Sequence, residues 1–246
     1  VARHLVLIAG NTNCRVALYS GDALRAARTR PLARVLESPA RLLARLEADD
    51  AALASVVPRA TRPLARALGA LTGRPPFIVS ARCRTGLHVR YDRRRLGADR
   101  LCAAEGAHAR WPGDLAVADF GTAVTINFVS RTGVFEGGPI LPGPHLILAA
   151  LAAGTARLPR ARLRAAAGPL PRTTGAALVA GALAAVAGGV EHALGRVERR
   201  TGRRWRLVGT GGAARLIARH LPRLRTIDPL LAARGLLELL RRNRPD

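Results

Sequence analysis

Leu115-Ala116-Val117-Ala118-Asp119-Phe120-Gly121-Thr122-Ala123-Val124-Thr125 decides the fold class. Leu115 to Ala118 is a continuous apolar run, suited to a strand buried on both faces. Gly121-Thr122-Ala123 then turns the chain, and Val124 to Val129 returns as a second strand. The same order stands near the other end. There Leu5 to Ile8 is a buried strand, Gly10-Asn11-Thr12-Asn13 a turn, and Cys14 to Tyr19 a second strand closed by Ser20-Gly21-Asp22. This echo predicts two duplicated α/β units, residues 1–112 and 113–246, with a cleft between them.

Periodicity supplies the remaining elements. Helices are expected at about 37–48, 61–71, 143–153, 174–197, 212–220 and 229–242. Ala51 to Val57, Pro76 to Val79 and Arg204 to Val208 read as strands, the last running into Gly209-Thr210-Gly211-Gly212. The tail Arg241 to Asp246 is expected to be frayed and solvated. Thr173 to Val190 is apolar but rich in Ala and Gly, short of the roughly 20 strongly apolar residues a membrane span prefers. It reads as a buried helix, so no membrane association is expected.

The 246 residues carry 40 Lys and Arg against 16 Asp and Glu, a net charge of +24. Every one of those basic residues is Arg, so chemistry that needs a P-loop lysine is excluded. A composition dominated by Ala, Arg, Gly, Leu and Pro accounts for the charge through GC-rich coding; a polyanion partner is the other reading. Aromatic residues make up 3%, little stacking surface for single-stranded nucleic acid, so nucleic acid is expected to bind only nonspecifically through the positive charge. Cys14, Cys83 and Cys102 are too few and scattered for a disulfide framework or a CxxC zinc site. No targeting segment is evident, and a reduced, cytoplasmic protein is expected.

Three Gly/Thr turns follow three apolar strands: Gly10-Asn11-Thr12, Gly121-Thr122-Ala123 and Thr210-Gly211-Gly212. Glycine lets the backbone approach an anion, and its N–H groups cradle phosphate oxygens. One such turn is only a turn; three at equivalent places point to phosphate binding. Asp99-Arg100 follows Leu96-Gly97-Ala98. The arginine would orient an anionic group and the aspartate accept a hydroxyl proton, or the two form a surface pair at a helix start. Asp119 is either a cation ligand near phosphates or a turn-forming residue. Asp92, Glu105 and Asp114 read as surface or turn residues. The six histidines show no zinc spacing, and no GxSxG elbow suggests covalent catalysis.

Together these stretches resemble type III pantothenate kinases, of the acetate and sugar kinase, Hsp70 and actin superfamily. The resemblance runs in order along nearly the whole chain: Gly10-Asn11-Thr12-Asn13, Ser55-Val56-Val57-Pro58, Gly97-Ala98-Asp99-Arg100, Asp119 to Thr125, Gly137-Gly138-Pro139-Ile140-Leu141-Pro142-Gly143, Thr155-Ala156-Arg157-Leu158-Pro159 and Thr210-Gly211-Gly212. It implies duplicated ribonuclease H-like (actin-like ATPase) subdomains with mixed sheets and a central cleft. It also implies transfer of a phosphate from ATP to pantothenate, with Mg²⁺, a monovalent cation (K⁺ or NH₄⁺) and a homodimer. By the same resemblance Asp99 is the general base, Tyr91, Gly97, Arg100 and Thr174 contact substrate, and Asp119 holds the monovalent cation. Thr174 reaches the partner's pantothenate. Gly10, Asn11, Thr12, Gly121 and Thr122 contact the nucleotide phosphates. Tyr91 stands one residue nearer Gly97 than the family spacing.

Three positions depart from the family pattern. Ile8 stands where the first phosphate loop carries Asp, Asn127 where the second carries Asp, and Ala213 replaces the Asp of Thr-Gly-Gly-Asp-Ala. Isoleucine cannot ligate a cation or its water. Two other readings therefore stand beside a working kinase: a catalytically impaired homologue that binds nucleotide or a pantothenate-like ligand, and a nucleic-acid-associated accessory factor.

Overall fold

The computed structural model describes residues 1–164 and 170–244. In chain order its elements are β1 (Arg3–Ala9), β2 (Asn13–Ser20), β3 (Ala23–Pro31), α1 (Leu32–Glu37), α2 (Pro39–Leu43), β4 (Asp50–Ser55), α3 (Pro58–Thr72), β5 (Phe77–Ile78), β6 (His88–Val89) and α4 (Ala98–Arg110). There follow β7 (Leu115–Phe120), β8 (Ala123–Val129), β9 (Val134–Gly137), β10 (Ile140–Pro142), α5 (Pro144–Gly154), α6 (Thr174–Thr201), β11 (Arg206–Thr210), α7 (Ala214–Ile217), β12 (Thr226–Ile227) and α8 (Leu231–Asn243). The chain divides into two units. Unit 1 comprises Val1–Pro112, Gly133–Phe135 and Leu230–Asp246; unit 2 comprises Gly113–Thr132 and Glu136–Pro229.

In unit 1 the strands lie in the order β3-β2-β1-β4-β5. β1 pairs antiparallel with β2 and parallel with β4, so the sheet is mixed. Leu5, Leu7, Ala9, Cys14, Val16 and Leu53 point to one face, into a core shared with Leu64 and Leu68 of α3. The other face carries Val6, Ile8 and Ala54, and there α8 packs on β1, β2 and β4 while α4 packs on β4 and α8. The α4–α8 contact is unusually close: a Cβ at Gly235 would run into the backbone carbonyl of Cys102.

Unit 2 repeats this plan. β8, β7, β11 and β12 lie side by side, the hairpin antiparallel and the next two pairings parallel, with β10 antiparallel on β8. Ala116, Ala118, Phe120, Val124, Ile126 and Phe128 face a core completed by Val179, Leu183, Val186, Val190 and Leu194 of α6. By length and composition α6 is apolar enough to cross a membrane, and 39% of its apolar window is buried. The helix expected to be buried is thus half-buried, with Ala177, Gly181, Ala184 and Gly188 on its exposed side.

Several expectations change in detail. The helix expected at 37–48 is only the short α2, Pro39–Leu43; a separate α1 precedes it and ends at Glu37, because Pro39 cannot continue it. β3 had no apolar signal: it is a polar edge strand, paired to β2 through its backbone. In the expected tail, residues 241–243 complete α8 and Arg244 bonds to Asp50 at 2.9 Å; residues 245–246 lie outside the described residues. Glu105 and Asp114 are buried, not surface residues. Glu105 accepts from Thr85 Oγ1 at 2.6 Å and from the Gly86 amide at 2.7 Å, while Asp114 accepts from Arg203 at 3.0 Å. A buried carboxylate survives only when paired, and both are. All three cysteines are free and buried.

Candidate functional site

In unit 1 the site begins where α4 begins. Gly97 caps the helix with φ −58° and ψ 133°, and Asp99 sits in its first turn, where a carboxylate complements the helix dipole. Asp99 Oδ1 accepts from the Arg100 amide at 2.8 Å. A Cβ at residue 97 would stand 2.6 Å from that oxygen and 3.7 Å from Val56 at the end of β4, so only glycine lets the carboxylate fold back here. Burial pushes the Asp99 carboxyl above its ordinary value; the amide and guanidinium of Arg100 pull the other way without winning. Arg100 itself is buried, so the pair is not a surface pair. Its guanidinium lies 5.3 Å from the ring centroid of Tyr91, which in turn meets Phe135 edge-on at 6.3 Å. Tyr91 remains 38% exposed. Gly97, Asp99, Arg100 and Tyr91 therefore form one group: a carboxylate poised to take a proton, beside a cation and a phenol that can hold an anionic substrate.

The first Gly turn lies in the same unit. The Gly10 amide donates to the Asn13 carbonyl at 3.0 Å, which presents Asn11, Thr12 and Asn13 to solvent. The Leu32 amide ties the loop down through the Thr12 carbonyl at 2.8 Å. Ile8 pairs with Arg15 of β2 and Ala54 of β4, and no carboxylate occupies the loop.

Unit 2 gathers the other two turns around Asp119. Register places Asp119 opposite Thr125 of β8 and beside Thr210 of β11. The Gly121 amide donates to the Ala123 carbonyl at 3.2 Å, and the Gly143 amide to the Thr122 carbonyl at 2.9 Å. Gly143 presses on the carbonyls of Gly121 and Thr122, where a side chain has no room. Gly211 has φ +92°, and a Cβ there would strike Asp119 Oδ1 and the backbone of Phe120. Asp119 is thus a half-buried carboxylate framed by backbone, with exposed Thr122 beside it: a setting for a cation next to phosphate oxygens. Asn127 is 0% exposed and lies two residues along the same strand face as Thr125.

Thr174 opens α6 in an exposed position, and the preceding Thr173 caps the helix by accepting from the Ala176 amide at 3.3 Å. Sequence reasoning missed Phe135 as the partner of Tyr91 and Val56 as the neighbour of Gly97. Neither has a local signal, since Phe135 acts from β9 and Val56 from the residue that follows β4.

The chain matches the protein family described as type III pantothenate kinase over residues 4–196. A type III pantothenate kinase of Hyphomonas neptunium is 34% identical over 257 residues, covering 98% of this chain and 99% of that one. Among solved structures, a conserved Baf family protein from Campylobacter jejuni superposes with a TM-score of 0.65 at 21% identity, covering 97% and 98% of the two chains. A ROK family glucokinase from Streptomyces griseus, solved with glucose and AMPPNP, superposes with a TM-score of 0.58 at 7% identity over 98% and 99%. At those identities the shared property is the fold, an α/β duplicated ribonuclease H-like architecture with mixed sheets.

Proposed function

The chain belongs to the type III pantothenate kinase family, and on that premise we propose that it transfers the γ-phosphate of ATP to the hydroxyl of pantothenate, opening coenzyme A synthesis. The observation that carries this reading is Asp99, a half-buried carboxylate with a raised pKa in the first turn of α4, grouped with Arg100, Tyr91 and Gly97. Asp99 takes the proton of the substrate hydroxyl as its oxygen attacks the γ-phosphorus and ADP leaves. Arg100 and Tyr91 hold the anionic substrate. Gly10, Asn11 and Thr12 in one turn, and Gly121 and Thr122 in another, offer amides and hydroxyls to the ATP phosphates.

Among the described residues no three His, Cys, Asp or Glu side chains gather as a metal site. A kinase cation needs fewer: Mg²⁺ keeps water and phosphate ligands and takes one or two carboxylates from the protein. Asp119 would hold the monovalent cation, K⁺ or NH₄⁺, while Mg²⁺ would be carried mainly by the ATP phosphates and water. Such cations neutralise the charge that develops on the transferring phosphate. The exposed Ala177–Gly181–Ala184–Gly188 side of α6 supports a homodimer, with Thr174 at its start offered to the partner's substrate. A cytoplasmic location fits the three free, buried cysteines.

Pantothenate-dependent ADP release, with Mg²⁺ and K⁺ present, tests the reading. Turnover of about 1 s⁻¹ or more is expected. Silence in the natural chain together with turnover in Ile8→Asp would make it a ligand-binding homologue instead.

A further inference from the structure

Unit 1 also holds a cavity of about 490 Å³ behind the segment that joins Tyr91 to Gly97. Its wall combines Ser55 at the end of β4, Thr61 of α3, Ser80 after β5, and the consecutive Arg93, Arg94 and Arg95. No Asp or Glu is among the lining residues, and neither are Tyr91, Asp99 or Arg100. The cavity is therefore separate from the proton-accepting group, although Gly97 and Ala98 border both.

The three arginines are held differently. Arg93 Nη2 donates to the Cys83 carbonyl at 2.5 Å. Arg95 Nε lies 3.6 Å from Asp92 Oδ2, and the Arg94 amide donates to Asp92 Oδ1 at 3.0 Å. The guanidinium of Arg94 makes no ion pair among the described residues. One aspartate thus braces the loop while three arginines line the open cavity, leaving an excess of two positive charges. The first turns of α3 and α4 border the same space at Pro58 and Ala98 and add their positive dipole ends. A single carboxylate offers one charge to this surplus. A phosphate monoester or diphosphate offers two or more, with enough oxygens for several guanidinium forks. The volume lies within the range of sites for small ligands.

We propose that this cavity is a binding site for a phosphate-bearing effector, a phosphomonoester or diphosphate, distinct from the turns that take the ATP phosphates. The arginines sit between Tyr91 and Gly97, so an occupant fixes the segment that carries the substrate contacts. It acts on the binding of pantothenate. That consequence rests on the pantothenate kinase reading; the binding itself does not.

The test is calorimetric titration of the full chain with inorganic pyrophosphate, ADP and acetate at one fixed salt concentration, because charge-driven binding is screened. Arg94→Ala is expected to weaken pyrophosphate about tenfold or more, the scale of one lost charge-assisted bond, and Arg94→Lys to restore part of it. Arg94 is exposed, so both variants retain the fold. ADP also occupies the turns that take the ATP phosphates, so its arm reads a second equivalent: if Arg94→Ala removes that second ADP equivalent along with pyrophosphate, the effector is an organic diphosphate; if it weakens pyrophosphate and no second ADP equivalent exists, it is the inorganic ion. Pyrophosphate binding unchanged by Arg94→Ala overturns the proposal, as does its displacement by acetate or pantothenate at similar concentration. A chain that loses pyrophosphate binding in Arg94→Ala yet never phosphorylates pantothenate would keep this site and sink the kinase reading.

Discussion

The hairpins β1–β2 and β7–β8 are built alike and equipped differently. Each opens with a buried strand, turns at a glycine and returns antiparallel, and each has a parallel neighbour on the far side. Two residues before the turn glycine, the first carries Ile8 and the second Asp119. Ile8 has Arg15 and Ala54 as its cross-strand neighbours, whereas Asp119 has Thr125 and Thr210. One backbone plan thus presents an apolar residue beside an arginine in unit 1 and a carboxylate between threonines in unit 2. The plan comes from hydrogen-bonded pairing and does not depend on those side chains, so each copy is free to specialise. On the proposed kinase reading the cation-holding carboxylate would stand in unit 2, and the proton-accepting carboxylate, Asp99, would come from a helix of unit 1.

Five substitutions and one pH profile break or sharpen this division. The largest effect is expected from Asp99→Asn, which removes the base from unit 1: kcat should fall by about 10²–10⁴ in a steady-state assay, with the fold intact by circular dichroism. The pH profile of the natural chain carries the same signature. The Asp99 pKa is raised, so the base is protonated, and activity lost, at a higher pH on the acid side than for an ordinary aspartate. Stability moves the opposite way: folding favours the protonated form, so this contribution is present below the ordinary aspartate value of 3.8 and is lost as pH rises through the raised pKa.

Next in size is Asp119→Asn, which makes the unit 2 hairpin as free of carboxylate as its counterpart. Activity should fall by roughly 10- to 100-fold, about 1.4–2.7 kcal/mol, and lose its response to K⁺. The converse, Ile8→Asp, gives unit 1 the carboxylate it lacks, and should lower the Mg²⁺ concentration needed for half-maximal activity. An unchanged Mg²⁺ dependence would show that the asymmetry has no consequence for metal.

The smallest effects concern packing and compare a glycine in each unit. In unit 1, Gly235→Ala drives a methyl group into the Cys102 carbonyl and should cost about 1–3 kcal/mol in urea unfolding. In unit 2, Gly188 lies exposed within α6 with nothing within 4 Å of a new Cβ. Gly188→Ala should stabilise the isolated helix geometry by about 1 kcal/mol. If the exposed side of α6 is a subunit contact, that gain is offset and sedimentation shows a weakened dimer.

Much of this was legible along the chain. The strand at Leu5 to Ile8, the strand at Leu115 to Ala118 and the glycine turns after them are written in adjacent residues, because burial on both faces demands an unbroken apolar run and a reversal demands glycine. Gly97-Ala98-Asp99-Arg100 was equally plain as a motif. β3 was not, because an edge strand exposed to solvent needs no apolar pattern and is held by backbone bonds to β2. The burial of Glu105 was also hidden: its partners Thr85 and Gly86 lie outside its own helix.

By itself, then, the sequence determined the local elements, the repeat of strand, turn and strand, and the residue types available for proton transfer and cation binding. Only the tertiary structure decided that α8, the last of the described elements, belongs to unit 1, that Gly211 makes room for Asp119, that Tyr91 and Arg100 stack, and that burial pushes the Asp99 carboxyl up. The reason is range. Propensity and periodicity act between neighbours a few residues apart, so they can be read in order. Burial, close backbone approach and electrostatic environment arise between residues far apart in the chain, and exist only once the sheets and helices have packed.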